Sequence, residues 1–203
     1  MDLQKIQKKI AMDKGIIGED TALKASVMIP LVKADKTWHI LFEVRSKKMN
    51  HQPGDICFPG GRIDDTDPTP RHAALRETEE ELGIRGEDID ILGELATYVP
   101  SSQMLVFPFV AALSQNHQLN LNQSEVDSVF TVPLNWLMNQ EPERHIVDYD
   151  VRPRPDFPYD RIYGGKKYPF RNRQMAEMFY NYGDKTIWGL TARILQHFLS
   201  VIS

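Results

Sequence analysis

The chain has 203 residues, of which 41% are hydrophobic and 26% charged, and its formal net charge is −4 at pH 7. This length and composition fit one globular domain, or one domain with extensions, with enough apolar residues for a hydrophobic core. The acidic balance excludes a broad basic surface that would recruit nucleic acid or an anionic membrane, so any phosphate binding must be local.

The opening MDLQKIQKKI lacks the continuous apolar core of a secretion signal. No stretch approaches the roughly 18 apolar residues that are needed to cross a bilayer. We therefore expect a cytoplasmic protein with no membrane partner. The single cysteine, Cys57, cannot form an intrachain disulfide, which suits a reducing compartment. A nucleophilic role for Cys57 is disfavoured because it lies between Ile56 and Phe58 in an apolar run.

Several segments have the residue patterns of helices and strands. Residues 2 to 12 carry apolar positions at helical spacing, which predicts a short amphipathic helix within an N-terminal extension, 1 to 20. Residues 25 to 32 and 38 to 44 are rich in β-branched and aromatic residues and predict a strand pair joined by the turn ADKT. Further strands are predicted at 89 to 99, 106 to 113 and 126 to 134.

Two longer helices are indicated by end signals and by apolar periodicity. One covers Thr69 to Leu82, with Pro70 at the favoured first position and Gly83 as the left-handed terminator. The other is C-terminal, with one apolar stripe formed by Ile187, Leu190, Ile194, Phe198 and Ile202. A mixed sheet between helices, which is an α+β fold, is the economical arrangement.

The first of these helices ends in the unusually acidic segment RETEEELG, residues 76 to 83. At about 100° per residue, Glu77, Glu80 and Glu81 share one edge of the helix. Only Arg76 and Arg85 offer partners at helical spacing, so a plain solvated charged face leaves Glu77 opposed by its neighbours. A divalent cation removes this difficulty, because hard cations such as Mg²⁺ bind carboxylate oxygens and bridge to substrate phosphates.

The segment FPGG, residues 58 to 61, precedes this helix. Paired glycines let the backbone turn tightly and approach a ligand or a metal where a side chain would collide. A plain strand-to-loop turn is the alternative when the segment is considered alone. The downstream glutamates favour the functional interpretation.

Together these motifs resemble the Nudix hydrolase family, whose pattern is GX5EX7REUXEEXGU with U an aliphatic residue. The chain matches or approximates the pattern at Gly61, Asp67, Arg76, Glu77, Glu80, Glu81, Gly83 and Ile84. It departs from the pattern in having Asp67 in place of Glu, one extra residue between Asp67 and Arg76, and Thr78 at an aliphatic position.

An upstream signature resembles the coenzyme A pyrophosphatase branch of the family, approximately LLTXRSXXMRXXXGXXXFPGG. Residues 41 to 61 read LFEVRSKKMNHQPGDICFPGG and differ at Glu43 and Asn50. The segment IWGLTARIL, residues 187 to 195, also resembles the closing helix of that branch. The resemblance implies a single Nudix domain over 1–203, with its core at about 24–202. Its expected fold is an α/β/α sandwich with a mixed central sheet and a catalytic loop-helix.

The resemblance also implies a divalent metal cofactor, Mg²⁺ or Mn²⁺. The expected metal-binding residues are Glu77, Glu80, Glu81 and, through its carbonyl, Gly60. Arg76 would orient the glutamates. The general base would be Glu77, Glu80 or a carboxylate from another loop, for which Glu125 in LNLNQSEVDSV is the candidate.

The implied reaction cuts the diphosphate of coenzyme A, giving 3',5'-ADP and 4'-phosphopantetheine. Expected substrate-binding residues are Arg45, Ser46, Lys48, Gly60 and Gly61. Cations such as Arg45, Lys47 and Lys48 suit a 3'-phosphate, although the two lysines are equally well explained as solvated turn residues. Asn50 removes one cation from the signature. The aromatic and basic tract at 157 to 173 is expected to be a hairpin that packs its tyrosines on the core, with base stacking as the alternative.

Two other functions stay open at this point. The same chemistry could act on another nucleoside diphosphate linked to a second moiety, such as ADP-ribose or a dinucleotide. A Nudix-derived binding module without catalysis is disfavoured because all three glutamates persist, and RNA decapping does not suit the acidic balance. The expected partner is a small nucleotide diphosphate and not a nucleic acid, and the protein is expected to be a monomer or a homodimer.

Overall fold

The computed structural model describes residues 2–12, 15–101, 103–114 and 118–203. Its helices are α1 (Leu3–Met12), α2 (Pro70–Leu82), α3 (Leu134–Met138) and α4 (Gly189–Ile202). Its strands are β1 (Leu23–Ala34), β2 (Thr37–Arg45), β3 (Ile56–Cys57), β4 (Gly60–Arg62), β5 (Ile89–Glu94), β6 (Tyr98–Ser101), β7 (Met104–Leu113), β8 (Val126–Pro133), β9 (Glu143–Tyr149), β10 (Arg173–Tyr182) and β11 (Lys185–Trp188).

Eight strands form one mixed sheet with β1 at its centre. One edge of β1 pairs in parallel with β7. Its other edge is divided between two antiparallel partners, β4 near its start and β2 near its end. Strands β3 and β8 pair with β2, and β5 and β6 pair with β7. A second sheet has the order β11-β10-β9.

Helices cover the two faces of the mixed sheet. Helix α2 lies over one face, where Leu82 packs in a buried cluster with Met28 and Leu41. Helix α4 lies over the other face, where Phe198 belongs to a cluster that includes Phe42. The predicted α/β/α arrangement of an α+β fold is thus confirmed. None of the helices in the described ranges is long and apolar enough to cross a membrane.

The first predicted elements are confirmed. Residues 25 to 32 and 38 to 44 lie in β1 and β2, which form an antiparallel hairpin. Both turn residues, Asp35 and Lys36, have positive φ angles of 48° and 65°, as two-residue hairpin turns require. The helix predicted at 2 to 12 is α1, which has no buried residue. A single domain over 1–203 stays a prediction.

Two predicted boundaries are wrong. The strand expected at 89 to 99 is divided into β5 and β6. Its pairing with β7 shifts register at Gly93, and the chain then passes Pro108 of β7, which has no N–H to donate. The C-terminal helix begins at Gly189, whose positive φ of 62° separates the helix from β11. Ile187 therefore lies in β11, where it pairs with Tyr180. Ile187 is buried all the same, and apolar periodicity could not separate the two cases.

The interpretation of residues 157 to 173 as a hairpin that packs on the core is also wrong. The hairpin strands are β9 and β10, and this tract is their connection, with two short 3₁₀ turns. Its aromatic rings contact one another, as Phe157 does with Tyr159 and Phe170, while Tyr163 is fully exposed. The tyrosines therefore do not form part of the core.

Candidate active site

Local signals define the acidic helix α2. The Thr69 hydroxyl accepts a hydrogen bond from the His72 N–H at 3.3 Å, and Pro70 occupies the first turn. At the other end Gly83, with φ of 63°, donates its N–H to the Glu79 carbonyl at 2.9 Å. At the aliphatic position of the family pattern, the buried Thr78 hydroxyl donates to the Ala74 carbonyl at 2.6 Å. This hydroxyl is therefore satisfied within the helix.

Residues 58–61 lie beside β1 at the point where the antiparallel partner of β1 changes from β4 to β2. There the Met28 N–H donates to the Pro59 carbonyl at 2.8 Å. Gly60 has φ of 149°, and a Cβ at this position would overlap the Ser26 carbonyl oxygen. A Cβ at Gly61 would lie 2.5 Å from the carboxylate carbon of Glu77. Both glycines are therefore needed for the close approach of this segment, to β1 in one case and to α2 in the other.

Glu81 is joined directly to this segment. Its Oε2 accepts a hydrogen bond from the Gly60 N–H at 2.8 Å, and the residue is only 5% exposed. The structure thus brings the N–H of Gly60, and not its carbonyl, to the glutamate. The prediction that the Gly60 carbonyl binds a metal stays a prediction.

Arg76 organises the neighbouring carboxylates. Its Nε and Nη2 donate to the two oxygens of Asp67 at 3.1 and 2.9 Å, a bidentate pair. Its Nη1 contacts Glu77 at 2.9 Å and Glu80 at 3.3 Å. These bonds to Arg76 hold the pKa of Asp67 below its usual range. Asp67 therefore anchors Arg76 despite the extra residue between them.

The carboxyl groups behind Arg76 are buried or half-buried and close to one another. Burial raises the pKa of Glu81 to about 8, although the Gly60 N–H opposes the shift, and the charges of Glu77 and Glu125 raise it further. Burial also raises the pKa of Glu77, which Arg76 partly offsets. The pKa of Glu43 is raised well above its usual range, first by burial and then by the Glu81 charge. The site thus has an excess of buried acidic groups.

Glu43 was not among the predicted site residues. It is 1% exposed, its carboxyl interacts with that of Glu81, and its Oε1 has no hydrogen-bond partner. The sequence signal was its departure from the upstream signature, as a glutamate within the apolar run WHILFEV. Leu41 and Glu43 alternate with Ile40 and Phe42 along β2, so Glu43 lies on the face that α2 covers.

The predicted residues outside the helix divide into two groups. Glu125 and Arg45 lie near the acidic cluster, and their charges act on the pKa values of Glu43 and Glu81. The Arg45 Nε is buried without a hydrogen-bond partner. Lys48, in contrast, is exposed in the loop after β2.

Ser46 connects two segments of the site. Its N–H donates to the Glu125 carbonyl at 2.7 Å, and its buried hydroxyl donates to the Gln123 carbonyl at 3.3 Å. These bonds hold the loop before β8 against the end of β2. Ser46 therefore positions the segment that carries Glu125.

The residues suit a hard divalent cation. Among the described residues no three His, Cys, Asp or Glu side chains already converge as a ligand cluster. Arg76 contacts Glu77 and Glu80, and the Gly60 N–H donates to Glu81. Even so, every candidate ligand is an oxygen, the Glu43 Oε1 is buried without a partner, and the buried carboxyls raise one another's pKa. Oxygen donors with surplus negative charge are what Mg²⁺ or Mn²⁺ requires.

Comparison with known proteins identifies the family of this chain. The model of the Nudix domain matches residues 22–154, more than half of the chain, and the chain therefore belongs to the Nudix family of hydrolases. A solved structure of a MutT/nudix family protein from Enterococcus faecalis has a TM-score of 0.50 and 15% identity, covering 100% of this chain and 70% of that one. This likeness shows the fold alone.

Two curated relatives share more of the sequence. The chain is 37% identical over 118 residues to a peroxisomal coenzyme A diphosphatase of Mus musculus, covering 58% of this chain and 50% of the mouse protein. It is 29% identical over 182 residues to a mitochondrial coenzyme A diphosphatase of Homo sapiens, covering 88% of this chain and 69% of the human protein. The alignment with the mouse protein thus spans half of that relative's length.

Proposed function

We propose that this protein is a metal-dependent pyrophosphohydrolase that cleaves the diphosphate of coenzyme A or its derivatives to 3',5'-ADP and 4'-phosphopantetheine or its acyl form. The observation that carries the proposal is the carboxylate edge of α2, which lies against Gly60 and Gly61 with Arg45 at its border. The upstream signature at 41 to 61 and the names of the two relatives support coenzyme A as the substrate.

Glu77, Glu80, Glu81 and the Gly60 carbonyl would hold Mg²⁺ or Mn²⁺. When bound, the ion neutralises the charge of the diphosphate and favours ionisation of water near neutral pH. Glu43 adds a further buried carboxyl beside Glu81.

The chain's own groups position the reactants. Arg76 holds Glu77 and Glu80 by ion pairs, and the Gly60 N–H fixes Glu81, so these carboxylates are oriented before the substrate arrives. The Arg45 guanidinium, whose charge acts on Glu81, would contact a substrate phosphate, because Arg76 is already engaged by Asp67, Glu77 and Glu80.

A general base must accept the proton of the attacking water at a carboxylate oxygen. Glu77, Glu80 and Glu125 are the candidates. Glu125 belongs to the loop that is hydrogen-bonded to Ser46 at the end of β2. Its charge contributes to the raised pKa values of Glu77 and Glu81. Single Gln variants of the three, assayed for kcat across pH, identify the base as the variant that loses the acidic limb of the profile.

A second substrate class is favoured by one observation. Asn50 stands where the branch signature has Arg, which removes a cation that could contact the 3'-phosphate. Such a change suits a nucleoside diphosphate that lacks this phosphate, such as ADP-ribose or a dinucleotide.

A substrate panel tests the proposal. Coenzyme A, dephospho-coenzyme A, ADP-ribose and a diadenosine polyphosphate are incubated with the protein and Mg²⁺ or Mn²⁺, and the products are separated by chromatography. We expect 3',5'-ADP from coenzyme A and a higher kcat/KM for coenzyme A than for its dephospho form. A higher kcat/KM for ADP-ribose or the dinucleotide would move the assignment to the second class. Glu87→Gln, a charge loss at an exposed residue after α2, is the matched control for variants of the site.

The cellular compartment is a separate prediction. We propose a cytoplasmic location, which the single cysteine, suited to a reducing compartment, supports. Fractionation of cells that express the tagged protein tests it.

A further inference from the structure

Strand β9 forms one edge of the second sheet. It pairs with β10 through seven consecutive residues, Glu143–Tyr149, without a register shift. Its other edge pairs with no strand in the described part of the chain. All seven residues are exposed, and Ile146 is 61% exposed. A regular strand thus presents a free row of backbone donors and acceptors together with apolar side chains.

This edge has only part of the usual protection against pairing. Edge strands are commonly blunted by charged side chains, lysine above all, by proline, by a bulge or by a covering segment. The sequence of β9, ERHIVDY, has neither lysine nor proline, and the exposure of its residues shows that the described segments leave it uncovered. An edge with these properties is a template for another strand.

We propose that β9 pairs antiparallel with β9 of a second copy of this chain, with the two-fold axis at Ile146. A two-fold axis that relates two antiparallel strands of one sheet passes between identical residues. With Ile146 on the axis, Arg144 lies opposite Asp148 of the partner subunit, and Asp148 lies opposite the partner subunit's Arg144. Two opposite-charge pairs then flank the central isoleucines.

The other face of the strand is compatible with the same register. His145 lies opposite Val147 of the partner subunit, and Glu143 lies opposite Tyr149 of the partner subunit, whose hydroxyl can donate to the carboxylate. No like charges meet on either face. The self-paired strands would join the two three-stranded sheets into one continuous sheet.

Neighbouring registers lack this complementarity. An axis at His145 would place Arg144 opposite Ile146, and an axis at Val147 would place Ile146 opposite Asp148. In both registers a charged residue of β9 stands opposite the apolar Ile146, and the opposite-charge pairs within β9 that would stabilise the sheet are lost. The charges of β9 therefore select the axis at Ile146.

Charge reversal tests the proposal by sedimentation over a wide range of protein concentration. The wild-type protein is expected as a dimer of twice its 23.4 kDa mass. Arg144→Asp and Asp148→Arg each create two like-charge pairs, and each is expected to raise the dissociation constant about tenfold or more. Arg171→Asp, with the same charge change at an exposed residue outside β9, is the matched control and is expected to sediment like the wild type.

Mixing the two variants gives the decisive result. In a mixed dimer each aspartate meets an arginine, so an equimolar mixture of Arg144→Asp and Asp148→Arg is expected to recover the dimer. Recovery in the mixture would show that the single variants are folded and lack only a partner. The double variant Arg144→Asp/Asp148→Arg is expected to dimerise as well, because each aspartate again meets an arginine.

Three results would overturn the proposal. One is a wild-type protein that is monomeric at every concentration. Another is a dimer that neither reversal weakens, which would place the interface elsewhere. The third is a mixture and a double variant that both stay monomeric while their melting temperatures match that of the wild type.

Discussion

Alanine in place of Gly61 is expected to separate the chemistry of the site from the stability of the fold. The added Cβ would lie 2.5 Å from both the carboxylate carbon and Oε1 of Glu77. These atoms end a flexible side chain, so the carboxylate can move while the backbone stays in place. We expect the free energy of unfolding to change by about 1 kcal/mol or less. A carboxylate displaced by about 1 Å from its working position is expected to lower kcat/KM about 100-fold.

Gly60→Ala is the matched comparison one residue earlier. Its Cβ would overlap the Ser26 carbonyl oxygen and lie 2.7 Å from Val27 Cα, which are backbone atoms of β1 that cannot rotate away. The φ of 149° adds strain for any residue with a side chain. We expect this variant to lose about 2 kcal/mol or more of unfolding free energy.

Urea denaturation and kcat/KM on the best substrate of the panel are measured for both variants. The expected pattern is a stable Gly61→Ala protein with about 100-fold lower kcat/KM and a destabilised Gly60→Ala protein. Wild-type activity in Gly61→Ala would show that Glu77 need not occupy its observed position. Equal destabilisation in the two variants would show that the backbone, and not the Glu77 side chain, moves to make room for the Cβ added at Gly61.

Three further predictions concern the acidic cluster. Glu81→Gln is expected to abolish Mg²⁺-dependent turnover while circular dichroism and melting temperature show an intact fold, and unchanged activity would contradict the assignment. Asp67→Asn weakens the anchor of Arg76, so Mn²⁺ titration should show about 10- to 100-fold weaker metal affinity, and affinity equal to that of Glu87→Gln would refute this role. Burial raises the pKa of Glu43 and of Glu81, the latter to about 8. Between the pH at which carboxyls ordinarily titrate and a pH of about 8, the folded protein therefore binds more protons than the unfolded chain. Its stability in EDTA should therefore fall as pH rises through this window, by up to about 1.4 kcal/mol per pH unit for each group. Urea titrations across pH measure this slope, and Glu81→Gln should flatten it.

Local signals made much of the fold predictable. The caps of α2 and the turn between β1 and β2 depend on a few adjacent residues, and both were found from the sequence. The hairpin of β9 and β10 was missed, because its strands lie on either side of a long connection and β9 buries no residue. Ile187 was assigned to the wrong element, because a strand and a helix can bury the same side chain.

The arrangement of the candidate site was predictable where its residues lie on one element. Glu77, Glu80 and Glu81 follow from helical geometry and from the family pattern. Glu43 could not be found in this way, since a lone glutamate in a strand is ordinarily solvated and its burial depends on the packing of α2. The bond between the Ser46 N–H and the Glu125 carbonyl likewise joins segments far apart in the chain.

The environment of Cys57 bears on how such an enzyme handles the proposed substrate. Burial, followed by the charge of Glu43, raises the pKa of the Cys57 thiol to about 12. At neutral pH almost none of it is thiolate, the form that attacks disulfides. Coenzyme A ends in a thiol that oxidation converts to a disulfide, and an enzyme with a reactive cysteine could be captured by it as a mixed disulfide. Burial, reinforced by the carboxyl of Glu43, thus lowers the reactivity of the chain's single thiol toward disulfides, among them the oxidised form of the proposed substrate.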